Sequence, residues 1–170
     1  MYRLKHLTAL LLMMAALVSC SISYKFNGAS IDYTKTKTIT IAEFPIKAQL
    51  VYPPLAIAFN EGLKDIYTRQ TRLNFVKRGG DIELEGEITG YDLTPQAVKQ
   101  DAYASETRLT ITVKVRYTNK ANPDEDFDKS FSAYRDFSST ELLTSVQDQL
   151  IEEIVDELTE NIFNSTVANW

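Results

Sequence analysis

Residues 109–117 read LTITVKVRY, and this stretch decides the fold. Apolar and polar residues alternate at every position, which is the pattern of a β-strand with one buried and one solvated face. Residues 127–137 also place apolar and polar side chains on opposite faces, and the turn signal Asn122-Pro123-Asp124 lies between the two stretches. The pattern predicts an antiparallel hairpin whose apolar face needs a covering layer.

Two further strands extend this sheet. Residues 38–44, TITIAEF, are rich in β-branched side chains, and residues 82–88 alternate apolar residues with glutamates. Gly86 and Gly90 in the second of these strands indicate a bulge or a close helix approach. Residues 73–76 fit either a short strand or a lead-in to the next turn.

Two amphipathic helices supply the cover. Pro53-Pro54 suits the first turn of a helix that we expect to run to about Arg72. A longer second helix carries apolar residues at four-residue steps from Val146 to Ile162, and we expect this stripe to form structural core. Ser138 and Glu141 fit a capping box at its start, with Ser138 as the N-cap.

The elements occur in the order strand, helix, three strands, helix. This order predicts an α+β two-layer sandwich, with two helices packed on one face of a mixed four-stranded sheet. We expect residues 1–19 to form a lipoprotein signal peptide, 20–36 a lipidated tether, and 37–170 a single α+β domain.

The N-terminus indicates the compartment. Residues 1–20 read MYRLKHLTALLLMMAALVSC, with Arg3 and Lys5 ahead of a run of 12 uncharged residues from Leu7 to Val18. A positive region followed by an apolar stretch of this length is typical of a secretory signal. The run falls short of the roughly 20 apolar residues that a membrane-spanning helix needs.

Leu17-Val18-Ser19-Cys20 resembles the lipobox of bacterial lipoproteins. The resemblance implies that Cys20 is acylated and becomes the first residue of the mature chain. It also implies that Ser21, in the position where aspartate is the usual inner-membrane retention signal, directs the protein to the outer membrane. Two or more acyl chains hold a protein stably at a leaflet.

Composition excludes most catalytic chemistry. The chain of 170 residues has one Cys, Cys20, and one His, His6, which lies in the signal peptide. A mature chain with no His and no free thiol excludes Ser–His–Asp and Cys–His catalysis and His-ligated zinc. We therefore expect no cofactor and no metal. Residues 136–170 carry eight acidic residues and no basic one, which argues against nucleic acid as a partner.

Behind its lipobox, this chain resembles the LptE family of outer-membrane lipopolysaccharide-assembly lipoproteins. The resemblance is carried by residues 24–31 (YKFNGASI), 108–119 (RLTITVKVRYTN), 131–137 (FSAYRDF) and 150–170 (LIEEIVDELTENIFNSTVANW). It implies a lipid-anchored protein, on the periplasmic side of the outer membrane, that plugs the β-barrel LptD, supports the assembly of that barrel and binds lipopolysaccharide.

Lipopolysaccharide carries anionic phosphates, so contact with it requires accessible Lys or Arg. Lys114 and Arg116 lie two apart on the polar face of the clearest strand, Arg108 begins that strand, and Lys99 precedes it. We expect these four bases to contribute to phosphate binding. The alternative is that they serve solubility and pair with acids across the sheet, since neighbouring glutamates would neutralise them.

Two other functions compete with lipopolysaccharide assembly. A structural or adaptor lipoprotein with the same fold would serve a different envelope complex. A carboxylate-pair glycosidase would use Glu83, Glu85 and Glu87, which two-residue spacing places on one strand face. A row of glutamates on a solvated face needs no catalysis to explain it, and we expect no enzymatic activity.

Overall fold

A computed structural model describes residues 31–96 and 105–167 of the chain. Its helices and strands, in chain order, are β1 (Thr38–Ile41), α1 (Pro53–Gln70), β2 (Asn74–Phe75), β3 (Ile82–Pro95), β4 (Glu106–Asn119), β5 (Phe127–Ser138) and α2 (Leu143–Thr166), with one turn of 3-10 helix (Pro123–Glu125) between β4 and β5.

The sheet has five strands in the order β2-β1-β3-β4-β5, so the predicted count of four is wrong. The additional strand, β2, has only two residues and pairs in parallel with β1. The Asn74 N–H donates to the Lys37 carbonyl at 2.9 Å, and the Val76 N–H donates to the Ile39 carbonyl at 2.9 Å. A strand of two residues is too short to show an alternating pattern in the sequence. It forms only because it pairs with a distant segment of the chain.

The rest of the sheet is mixed, as predicted. β1 pairs in parallel with β3, while β3–β4 and β4–β5 are antiparallel. The hairpin of β4 and β5 keeps its register from Glu106 opposite Ser138 to Tyr117 opposite Phe127. β3 shifts its register between Ile88 and Gly90, which confirms the bulge that the glycines indicated.

Both helices cover one face of the sheet and create the core. The apolar stripe of α2 is buried, with Ile154, Leu158 and Ile162 fully inaccessible to solvent, which confirms that this helix is structural core. α1 contributes Phe59, whose ring lies 5.3 Å from that of Phe44 in an edge-to-face contact. Each helix and each long strand buries its apolar face between the two layers, and this burial holds the layers together.

Strand β1 ends earlier than its composition predicts. The chain leaves the ladder after Ile41, and Phe44 turns into the core. Asn60 on α1 accepts the Phe44 N–H at 2.9 Å and donates to the Phe44 carbonyl at 3.2 Å, which satisfies a backbone that no longer pairs as a strand. Phe44 fills the space beside Gly86, where a β-carbon would lie 2.5 Å from the Phe44 ring.

The predicted capping box is wrong. Ser138 is still paired with Glu106 as the last residue of β5, so it is not available as a helix cap. Its hydroxyl bonds to the Thr140 hydroxyl at 2.7 Å. Helix α2 begins four residues later than the box requires, after Leu142, which provides no side-chain cap.

Candidate functional site

The sheet face opposite the helices is polar and carries the candidate residues. β4 lies between β3 and β5, so each of its outward side chains has a neighbour on both sides. Arg116 lies opposite Glu85 on β3 and Asp128 on β5, and Lys114 lies opposite Glu87 and Ser130. We call this surface the open face. Its outward charged residues on the three strands are Glu83, Glu85, Glu87, Asp92, Glu106, Arg108, Lys114, Arg116, Asp128 and Asp136.

Lys114 and Arg116 form a small network of ion pairs. The Arg116 guanidinium contacts Glu85 at 3.0 Å and Asp128 at 3.5 Å, and the Lys114 ammonium contacts Asp128 at 3.3 Å. The side chains of both bases are about half exposed, so each pair is worth on the order of 0–1 kcal/mol. A hollow of about 370 Å³ lies over this network, between β4 and the end of β1.

Arg108 lies farther along the open face and is held more firmly. It forms a two-point contact with Asp136, at 2.8 Å for each nitrogen–oxygen pair, and its guanidinium carbon lies 3.7 Å from the centre of the Tyr134 ring. The hydrogen bond from Arg108 lowers the pKa of Asp136. Lys99, the fourth predicted base, lies outside the described residues.

The glutamates of β3 act as partners for bases. Glu85 pairs with Arg116, and Glu83 accepts from the Lys120 ammonium at 2.9 Å. The fold therefore contains the pairing of bases with glutamates on a neighbouring strand that the sequence offered as the alternative. Between the charged groups lies a strip of hydroxyls in which Thr112 and Ser132 bond to each other at 2.8 Å.

Sequence reasoning missed Arg135, which lies on the other side of the sheet. Arg135 reaches α2, where it contacts Glu153 at 3.0 Å and Glu157 at 2.6 Å. The signal was present, because Arg135 is a base at a position that shares its strand face with Phe131 and Phe137. These contacts join β5 to the covering helix.

Residues 31–96 and 105–167 contain no cluster of three His, Cys, Asp or Glu side chains placed to hold a metal ion. Within the same ranges, no helix has both the length and the apolar character needed to cross a membrane.

The two-layer fold and the polar open face define a small α+β domain with two helices on one side of a mixed sheet. The family model described as LptE, Lipopolysaccharide-assembly, matches residues 36–166. The chain therefore belongs to the LptE family, which is a non-enzymatic family of lipopolysaccharide-assembly lipoproteins. The glycosidase alternative is wrong.

Solved structures resemble this fold at low sequence identity. A minor lipoprotein from Acinetobacter baumannii matches with a TM-score of 0.51 and 14% identity, over 76% of this chain and 93% of that chain. The rare lipoprotein B from Shewanella oneidensis matches with a TM-score of 0.45 and 13% identity, over 74% of this chain and 92% of that chain. No curated protein matches the chain significantly. At these identities the first structure supports the fold alone.

Proposed function

We propose that this protein is the lipoprotein component of a lipopolysaccharide transport machine at the outer membrane. In this role it plugs a β-barrel of the LptD type, supports the assembly of that barrel, and is held on the periplasmic side of the membrane by a lipid on Cys20. The observation that carries the proposal is the family match over residues 36–166, which includes every helix and strand of the domain.

The open face suits enclosure in a barrel. The lumen of an outer-membrane barrel is polar, so a plug has to present polar groups without leaving charges unpaired when water is displaced. Lys114, Arg116 and Arg108 each have a carboxylate partner on a neighbouring strand. This internal pairing lets the three bases meet a polar wall at low electrostatic cost.

Co-purification tests the partnership. The full-length lipidated protein is extracted from its own membranes in mild detergent, and the proteins that accompany it are identified by mass spectrometry. We expect a large outer-membrane β-barrel in an amount close to that of the lipoprotein. Recovery with a different envelope complex, and without a barrel, would support the adaptor alternative instead.

We also propose that Lys114 and Arg116, with smaller contributions from Arg108 and Lys99, bind lipopolysaccharide phosphates. The bases are accessible, and their individual ion pairs are weak enough for a multiply charged phosphate ligand to compete with Glu85 and Asp128. Arg108 contributes less because its two-point contact with Asp136 is harder to displace.

The test compares lipopolysaccharide binding by the wild type and by Lys114→Glu/Arg116→Glu, at low and moderate salt. Lys47→Glu/Lys64→Glu is the matched control, since it changes the net charge equally at two exposed lysines that do not belong to this network. We expect the first variant to lose at least roughly tenfold in affinity, and the control to lose little. Equal binding by the folded first variant would refute the site but not the barrel partnership.

A further inference from the structure

A second charged surface lies at the edge of the sheet that β1 and β2 form. The pairing of β1 with β2 brings residues 33–39 next to residues 72–76, and residues 77 and 78 follow directly along the chain. The exposed side chains of this surface, which we call the basic edge, are Tyr33, Lys37, Arg72, Phe75, Lys77 and Arg78.

The four bases of the basic edge differ from those of the open face. Among the described residues, none of them forms an ion pair with a carboxylate. The nearby carboxylate of Asp81 accepts from the Lys37 N–H at 2.8 Å, the Thr38 N–H at 2.9 Å and the Thr38 hydroxyl at 2.8 Å. All three bonds go to the same oxygen, Oδ2, so backbone and hydroxyl donors, and no basic side chain, contact this carboxylate at hydrogen-bond distance.

Acidic residues at the same end of the sheet lie along the other edge. The turn between β4 and β5 carries Asp124, Glu125 and Asp126, of which Glu125 accepts from the Asn119 and Asn122 amides. Glu125 shares a hollow of about 370 Å³ with Asp32 and Lys35, and none of the four bases of the basic edge lines this hollow. The basic edge therefore presents a local positive charge on an acidic protein.

Two aromatic rings accompany these bases. Phe75 is 42% exposed in β2, and Tyr33 is 37% exposed with its hydroxyl near the Arg72 N–H at 3.4 Å. Lys77 and Arg78 lie in the tight connection from β2 to β3, which Gly79 turns with a φ of 75°. Exposed aromatic rings among unpaired bases are typical of surfaces that meet anionic lipid headgroups.

The path of the chain places this surface close to a membrane. Ile31 packs against the core, and the turn at Asp32 fixes the residues up to Thr36, which is buried. Only ten residues, 21–30, separate Ile31 from Cys20, and they span at most about 35 Å. A lipid on Cys20 would therefore keep this end of the domain within reach of the leaflet at high effective concentration.

We propose that, before the barrel partner encloses the domain, the basic edge docks onto anionic phospholipid headgroups of the leaflet that holds the lipid anchor. This inference rests on the proposed anchor at Cys20. The docked edge sets the orientation of the domain, with β1 and β2 toward the headgroups and the acidic outer surface of α2 away from them. Tethering by lipid and attraction by bases together supply the two signals that stable, oriented attachment requires.

The experiment uses the full-length lipidated protein with vesicles of neutral phosphatidylcholine, or of phosphatidylcholine mixed with anionic phosphatidylglycerol. Flotation reports attachment, and amide hydrogen exchange of residues 72–80 reports docking. We expect exchange of these amides to slow at least roughly tenfold on the anionic vesicles and to recover at high salt. Lys77→Glu/Arg78→Glu should abolish the slowing, whereas the equally charged control Lys47→Glu/Lys64→Glu should retain it.

Each outcome separates the basic edge from the anchor. A wild-type protein that floats with both vesicle types but exchanges equally fast on each would overturn the docking proposal and leave the anchor intact. Flotation with anionic vesicles alone would support the basic edge and contradict the anchor, and flotation with neither would contradict both. Slower exchange only on vesicles that carry lipopolysaccharide would reassign the surface to that ligand and overturn the proposal.

Discussion

Asp81 joins two parts of the chain at the start of the sheet. Its carboxylate, just before β3, accepts two backbone N–H groups and one hydroxyl from Lys37 and Thr38, while its own N–H donates to the Thr38 hydroxyl at 2.9 Å. These hydrogen bonds lower the pKa of Asp81 below its ordinary value of 3.8, and the bond from the Lys37 N–H has the largest effect. The side chain therefore stabilises the fold in its charged form.

Asp81→Asn should lower the free energy of unfolding by about 1–3 kcal/mol near neutral pH, because a charged acceptor is lost. A carboxyl whose pKa is lowered by folding stabilises above its unfolded pKa, and this contribution disappears as the pH falls through the folded pKa. Urea titrations should therefore show the difference from wild type shrinking as the pH falls below 3.8. Asp92→Asn, at an exposed aspartate of the same strand, should have little effect, and a difference for Asp81→Asn that does not depend on pH would contradict the account.

Cys20 is the second residue on which the account depends. Cys20→Ala should accumulate as an unprocessed precursor that labelled fatty acid does not mark, because the thiol is the proposed acceptor. Radiolabelling of the variant beside wild type measures this directly. Persistent labelling of Cys20→Ala would contradict lipid attachment at this residue.

At the scale of elements, α2 buries more residues against the sheet and the core than α1 does. Ile154 is fully buried near the middle of its apolar stripe, whereas Ile57 on α1 is 60% exposed. The two residues provide a matched pair, with the same side chain in the same type of element and opposite burial.

Ile154→Ala should lower the free energy of unfolding by about 2–5 kcal/mol, because it removes buried methyl groups and leaves a cavity. Ile57→Ala should change it by less than about 0.5 kcal/mol. Denaturant unfolding curves of the two variants measure both values. Equal effects would show that the stripe of α2 does not face the core.

The sequence predicts best the long helix and strand in which apolar residues recur many times at a constant spacing. The strand around residues 109–117 and the stripe of α2 are long, and their burial follows their alternation. β2 and the start of α2 depend instead on contacts between distant residues. Asn74 is a strand residue only because Lys37 lies beside it, and Ser138 fails as a cap because Glu106 keeps it in the sheet.

At the scale of the whole molecule, charge is distributed unevenly over three surfaces. Asp148, Glu152, Asp156 and Glu160 are exposed on α2, the open face pairs its bases with acids, and the basic edge leaves four bases unpaired among the described residues. The sequence predicted which bases share the open face, because two-residue spacing is local. It gave their pairing with glutamates only as an alternative and did not predict the basic edge, because both depend on which strands become neighbours.

The central claim is that the domain works inside a β-barrel partner, and site-specific photo-crosslinking in living cells tests it most directly. A photoreactive residue at Ser130 or Ser132, both exposed on the open face, reports what this face touches. The account predicts a light-dependent adduct with a large outer-membrane β-barrel protein at both positions. A folded, membrane-attached protein that forms no barrel adduct at either position, or that crosslinks only to proteins other than a barrel, would contradict it.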